Sequence, residues 1–334
     1  MAILFMDGFD HYVEADITKK WTSASNAAYT TMGTTGGRHG GYLGVSGNQG
    51  YIYKVFSSGL ATVYTGFACS IAAYSTGDIT LASFRDATVL HLVLCVNSSN
   101  ILEVRLGSST GTLIGSGSSV VSESAWHYIE WAVTIDNTAG AVIVKVDGVT
   151  EINVSGVDTQ NGGTATATTL WLGAASNGRV CFFDDLYISD SALLGDVRID
   201  TLYPTSDGAH TDFTPSTGTS HYACVDEPQI GLSDSVYSST VGAVDTYGLG
   251  DLPSGASGTI YAVQVNNIAS KSDAGARSIA SVVRSGTSES TSSATALAST
   301  AVDNLAIFAT DPATSTAWTV SGINGMEAGT KVAA

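Results

Sequence analysis

A chain of 334 residues, 44% hydrophobic and 13% charged, has room for more than one buried core and lacks the composition of a disordered chain. Its 13 lysines and arginines against 30 aspartates and glutamates give a net charge of −17, which argues against direct binding to nucleic acid or to an anionic membrane surface. No apolar run approaches the roughly 20 residues that span a bilayer, and four cysteines without CxxC spacing read as buried thiols, not as a disulfide frame or zinc site.

In chain order, residues 3–9 read as a first strand. No basic segment precedes their apolar run, so no secretory leader is expected and synthesis in the cytoplasm is. Residues 11–50 are glycine-rich and poor in long strands. Strands are predicted at 51–56, 61–73, 79–84, 90–96 and 102–106. The run 126–148, WHYIEWAVTIDNTAGAVIVKVDG, alternates through Ile129, Trp131, Val133 and Ile135, turns at Asp136–Gly140, and alternates again through Val142, Val144 and Val146. That is a buried antiparallel hairpin, and Asp147-Gly148 opens another tight turn into Glu151–Ser155. Further strands are read at Leu170–Gly173 and Phe182–Ile188, then one helical turn from Ser189 to Leu194. A boundary near 199 divides residues 1–199 from a C-terminal β-domain, 200–334, with strands expected at 221–225, 259–268, 276–284 and 304–310. Residues 285–300 are nearly all Ser, Thr and Ala, compatible with a loop or a β-arm.

The central hairpin resembles the laminin-G-like, concanavalin-A-like lectin sandwiches, which read Trp-His, two alternating strands and Asp-Gly. Here those are Trp126-His127 and Asp147-Gly148. The apolar strand ending in Gly173 and the closing strand around Asp184-Asp185 look like the rest of that pattern, over about residues 1–197. The resemblance implies an all-β chain: an antiparallel lectin-like jelly-roll sandwich followed by a smaller β-sandwich-like domain. It also implies that the first strand pairs near the closing one, bringing Asp7 and Asp10 toward Asp184 and Asp185. The segment 311–329, with Trp318-Thr319 and a short helix capped by Ser321 and pinned by Ile323 and Met326, resembles a tail of bacteriophage virion proteins.

No catalytic residue is assigned from sequence. Gly107-Ser108-Ser109-Thr110-Gly111 spells G-x-S-x-G, but between two strands and not at a strand-to-helix elbow. Six histidines are scattered without a metal or triad spacing, and Glu14-Ala15-Asp16 is a poor candidate for a glycosidase carboxylate pair. Asp184 is expected toward the sandwich interior beside Phe182, Leu186 and Ile188, held by backbone N–H groups, with Asp185 facing outward. The rival reading is a calcium site of Asp7, Asp10, Asp184 and Asp185. No other cofactor is implied. Tyr42, Tyr51 and Tyr53 are the glycan-contact candidates.

The expected function is a non-enzymatic bacteriophage virion structural protein, a decoration, fibre or tail-associated subunit. Its C-terminal domain would serve assembly or attachment. Its partners would be other virion proteins, further copies of itself in a homo-oligomer, and a host surface glycan. The alternative is a carbohydrate-binding lectin or host-receptor adhesin, with a glycan hydrolase behind both.

Overall fold

The structure, a computed structural model, describes residues 2–25, 28–47, 49–73, 77–173 and 179–334. Contacts divide the chain into two compact units, Met1–Ile199 and Asp200–Ala334. The first unit begins with β1 (Ile3–Asp7), α1 (Ile17–Lys20), β2 (Ser23–Ala24), β3 (Thr30–Gly33), β4 (Tyr42–Ser46) and β5 (Tyr51–Leu60). It continues with β6 (Thr62–Ile71), β7 (Ile79–Asp86), β8 (Val89–Val96), β9 (Ile101–Leu106) and β10 (Thr112–Val120). It closes with β11 (Trp126–Thr134), β12 (Gly140–Val146), β13 (Val149–Val157), β14 (Ala167–Gly173) and β15 (Val180–Ser189).

These strands make two antiparallel sheets. Sheet I runs β13-β12-β11-β6-β15-β4-β3, with β1 also on β15; sheet II runs β10-β9-β8-β7-β14-β5-β2. The sheets face each other across an aromatic and aliphatic core. Phe84 of sheet II meets Trp131 of sheet I at 4.4 Å, and within sheet I Phe67 meets Phe183 at 5.7 Å. Each such fully buried side chain contributes about 1.5–3 kcal/mol. The central hairpin forms in the register that alternation demands, Ile129 opposite Val146 and Trp131 opposite Val144. Asp136 Oδ1 accepts the Thr138 and Ala139 N–H groups in its turn, while Asp147 (φ 50°) and Gly148 (φ 80°) supply the two positive-φ residues of a primed hairpin turn. The chain is therefore all-β, a lectin-like jelly-roll sandwich followed by a smaller β-unit.

The second unit holds β16 (Pro204–Thr211), β17 (Thr214–Pro215), β18 (Val236–Tyr237), β19 (Val244–Leu249), β20 (Val263–Ala269) and β21 (Ser278–Ser285). After them come β22 (Ser288–Thr291), β23 (Thr295–Ala296), β24 (Val302–Phe308), α2 (Val320–Asn324) and β25 (Met326–Val332). Its main sheet runs β16-β19-β25-β21-β22, with β23 on β21, and β20 pairs with β24 as a separate ribbon. Val265, Val283, Phe308, Trp318, Ile323 and Met326 form its core. Trp318 donates its Nε1–H to Phe308 O at 3.0 Å, so the indole is buried with its polar atom satisfied. The Ser/Thr/Ala stretch is partly a β-arm, since β22 and β23 both pair with β21.

Three local expectations are corrected. The α2 cap is Thr319, whose side chain accepts from Gly322 N–H at 3.0 Å, and not Ser321. Residues 221–225 form a 3-10 turn (Tyr222–Cys224), because His221 turns aside to bond Asp245. No helical turn forms at 189–194; the Leu194 N–H instead donates to Tyr187 Oη at 2.8 Å. Among the described residues, no helix is long and apolar enough to cross a membrane.

Candidate functional site

In sheet II, strand pairing sets Tyr53, Trp171, Ser83, Val93, Arg105 and Leu113 in one row across six strands. The adjacent row, Ile52, Leu172, Ala82, Leu94 and Val104, is fully buried in the core. Side chains of neighbouring rows point to opposite sides, so the row of Tyr53 and Trp171 lies on the outer face. Five strand spacings of about 4.8 Å make it roughly 24 Å long.

At one end of the row three rings gather. Trp171 lies 4.4 Å from Tyr51 and 4.6 Å from Tyr53, nearly parallel to the latter at 15°. The Arg85 guanidinium covers the indole at 3.9 Å from its centroid, a stacked cation–π contact, and its Nε donates to Ser83 Oγ at 3.4 Å. Burial pulls the Arg85 pKa below its ordinary range, with the Tyr51 phenol acting the other way. Ser83, Val93 and Thr169 are only 2–3% exposed although they face away from the core, because the longer side chains close over them. Trp171 Nε1 is covered and, among the described residues, has no hydrogen-bond acceptor. Further along, Glu103 accepts Arg105 Nε at 2.7 Å and Asn97 Nδ2 at 2.8 Å, so both its oxygens are occupied.

Tyr51 and Tyr53 are thus neighbours, whereas Tyr42 lies in sheet I, edge-on to Phe182 at 5.2 Å. Trp171 and Arg85 escaped the sequence reading. Trp171 was visible as part of a strand motif, but its register against Tyr53 depends on a pairing that adjacent residues do not encode.

The four acidic candidates are not drawn into one coordination sphere. Asp7 accepts from Phe9 N–H, Tyr12 Oη, Trp21 Nε1 and Lys20 Nζ at 2.6–3.0 Å. Burial acts to raise its pKa, but Lys20 and these donors outweigh burial and hold it below the usual carboxylate value. Asp10 Oδ1 accepts Gly41 N–H at 2.6 Å. Asp184 accepts His39 N–H at 2.9 Å and Asp185 N–H at 2.7 Å, so backbone donors hold it. Burial first, then Asp185 beside it, pushes its pKa up to about 8. Among the described residues, no three His, Cys, Asp or Glu side chains form a metal-ligating group.

Two orientations are corrected. A bulge between Asp184 and Tyr187, with Asp185 at φ 50°, breaks the alternation of β15. Asp184 pairs beside Ala68, while Phe183, one residue earlier, packs on Phe67 in the core, so Asp184 lies on the outer face of sheet I. Ile188, beyond the bulge, pairs beside Thr65 on the core side. Asp185, expected outward, is fully buried and takes Ile199 N–H and His39 Nδ1, both at 2.7 Å, and Arg38 at 3.5 Å.

The remaining motif residues also have local roles. Trp126 pairs beside Ser70 at the start of β11. Gly173 closes β14 at φ 81°, where a Cβ would collide with Val45 Cγ1. Glu14–Asp16 is a 3-10 turn, with Glu14 accepting Met32 N–H and Asp16 paired to Lys19, so it is not a strand-borne acid pair.

No known protein family matches the chain, and no curated protein does. Among solved structures, the chain is similar to an endo-β-1,4-glucuronan lyase from the fungus Trichoderma reesei, at 11% identity and a TM-score of 0.44, over 57% of this chain and 96% of that one. It is similar to a β-glucanase catalytic domain from Podospora anserina, at 16% identity and a TM-score of 0.41, over 58% and 98%. An alginate lyase solved with an alginate trisaccharide aligns at 10% identity and a TM-score of 0.39, over 50% and 86%. These likenesses are too distant to carry activity to this chain. They replace the expected company of virion proteins with lyases and a glucanase, and the reading as a non-enzymatic bacteriophage structural protein is withdrawn on that finding.

Proposed function

We propose that the first unit binds and cleaves an acidic polysaccharide laid across the outer face of sheet II. The observation that carries this reading is the ring cluster Tyr51–Tyr53–Trp171 with Arg85 stacked on it, set at one end of a row six strands wide. Flat aromatic faces accept the apolar faces of sugar rings. A guanidinium already stripped of part of its water pairs with a carboxylate in a forked, charge-assisted geometry. In a chain of net charge −17, a cation held on the glycan face selects for a uronate substituent.

The acids of this sheet favour elimination over hydrolysis. Its strands hold two among the described residues, Asp86 and Glu103. Asp86 is occupied by the Thr164 hydroxyl at 2.6 Å and its N–H at 3.0 Å, and Glu103 by Arg105 and Asn97. A glycosidase requires two poised carboxylates flanking the bond. In β-elimination, Arg85 neutralises the uronate carboxylate and so acidifies the neighbouring C–H. A base removes that proton, a C=C bond forms, and the glycosidic oxygen departs with a proton. The phenols of Tyr51 and Tyr53 are the groups beside Arg85 suited to proton transfer.

The test is incubation with polyglucuronate, alginate and a neutral β-glucan, following the ultraviolet absorbance of the unsaturated uronate and the appearance of reducing ends. The expected result is unsaturated product from an acidic polymer and none from the neutral one. Reducing ends without unsaturation would replace elimination by hydrolysis.

A further inference from the structure

The sharpest arrangement outside sheet II lies where β10 leads into β11. Ser122 Oγ stands 2.8 Å from His127 Nε2, and His127 Nδ1 stands 2.7 Å from Asp147 Oδ2. The second oxygen of Asp147 accepts the Tyr128 N–H at 2.8 Å, which fixes the plane of the carboxylate. Asp147 is itself set by the hairpin turn, with φ 50° and its N–H donated to Tyr128 O. The three residues come from three places, the loop after β10, the start of strand β11 and the β12–β13 turn. An ionised carboxylate only accepts, so Nδ1 carries the proton. In the neutral ring Nε2 is then the acceptor, and the Ser122 hydroxyl donates to it.

We propose that Ser122, His127 and Asp147 form a nucleophile–base–orienter triad that hydrolyses short-chain carboxylic esters, an activity separate from glycan cleavage. The order of contacts is that of activated serine nucleophiles, recognised by geometry and not by sequence position. Ser122 and Asp147 are exposed and His127 is half-buried, so an ester reaches the hydroxyl from solvent. Ser122 Oγ forms a bond to the acyl carbon as its proton passes to His127 Nε2. The ester C–O bond then breaks, and the departing alcohol takes that proton. Water, giving its proton to the same nitrogen, displaces the acyl group as the free acid and restores the serine. The G-x-S-x-G serine, Ser109, lies in the turn between β9 and β10 and is not part of this arrangement.

The experiment is labelling of the full chain with an alkyl fluorophosphonate, mapped by peptide mass spectrometry, together with p-nitrophenyl acetate hydrolysis. In labelling, Ser122 Oγ displaces fluoride from phosphorus and the proton leaves through His127. Label on Ser122 is expected, retained in Ser109→Ala and lost in Ser122→Ala and His127→Gln. Asp147→Asn still accepts the Tyr128 N–H but presents an amide donor to Nδ1. That selects the wrong tautomer and should slow both reactions about a hundredfold or more. Melting curves show whether each variant is folded, and Ser122→Ala, an exposed change, is the variant least exposed to that objection. A folded wild type that takes no label on Ser122, or ester hydrolysis equal in wild type and Ser122→Ala, overturns the proposal.

Discussion

The first unit contains two clusters built from the same kinds of residue, and they end in opposite states. In one, Asp7, Tyr12, Lys20 and Trp21 pack at 1–3% exposure, and Asp7 alone takes four donors. Trp21 spends its Nε1–H on Asp7 at 2.7 Å and shares it with Tyr12 at 3.0 Å. In the other, Tyr51, Tyr53, Arg85 and Trp171 are all half-buried, and Trp171 Nε1 has no acceptor among the described residues. The first cluster is closed and clamps β1 against α1. The second stacks its rings and cation on one another and leaves them half-exposed to solvent. Residue type does not separate the two clusters; burial and the state of the polar atoms do.

The largest effect is expected from opening the closed cluster. Asp7→Ala leaves the buried Lys20 ammonium without its partner at 3.0 Å and should cost about 3–5 kcal/mol, read by denaturant unfolding. Because the Asp7 pKa is depressed in the folded state, its contribution is present above the unfolded value near 3.8 and is lost as pH falls through the lower folded value. The wild type should therefore lose stability in acid more steeply than the variant.

Next come the two acids at the bulge of β15, Asp184 and Asp185. Asp184→Asn replaces a carboxyl oxygen, which can still accept an N–H when the acid is neutral, by an NH2 that cannot, and should cost about 1–3 kcal/mol in mild acid. The Asp184 pKa is raised to about 8, so the sign is the reverse of Asp7. Its contribution is complete below the unfolded value and is lost as pH rises through about 8, and the gap between wild type and variant should narrow on that rise. Asp185→Asn should be as damaging as Asp184→Asn, since Asp185 is buried against His39 and Arg38; a neutral effect would return it to the surface.

The smallest stability effects belong to the open cluster, where function should suffer instead. Trp171→Ala and Tyr53→Ala should each weaken binding of an acidic oligosaccharide about tenfold, roughly 1.4 kcal/mol, by calorimetry. Melting temperature should move much less than for Asp7→Ala. A large melting shift with unchanged binding would make the open cluster structural too.

Alternation made much of the first unit legible. The period-two runs in β11 and β12 told which side chains meet in the core, the apolar runs of β6–β9 told only where strands lie, and Asp147-Gly148 announced its turn. Alternation also misled at one point. It carries no mark of a bulge, so Asp184 was placed with Leu186 and Asp185 on the wrong side. The candidate sites were harder to see because they depend on pairing: Trp171 meets Tyr53 only through the β14–β5 register, and Asp147 meets His127 where the β11–β12 pairing runs past Ile129 and Val146. His127 and Asp147 were visible as motif letters, but Ser122 sits in a loop with no pattern around it.

The most direct test of the glycan reading is the rate of unsaturated-uronate formation from an acidic polysaccharide, compared between wild type and Arg85→Met. The substitution keeps much of the apolar cover over Trp171 and removes the cation. The account predicts measurable product with the wild type and at least a tenfold loss with the folded variant. No unsaturated product from any acidic polysaccharide, or the same rate in both proteins, would contradict it.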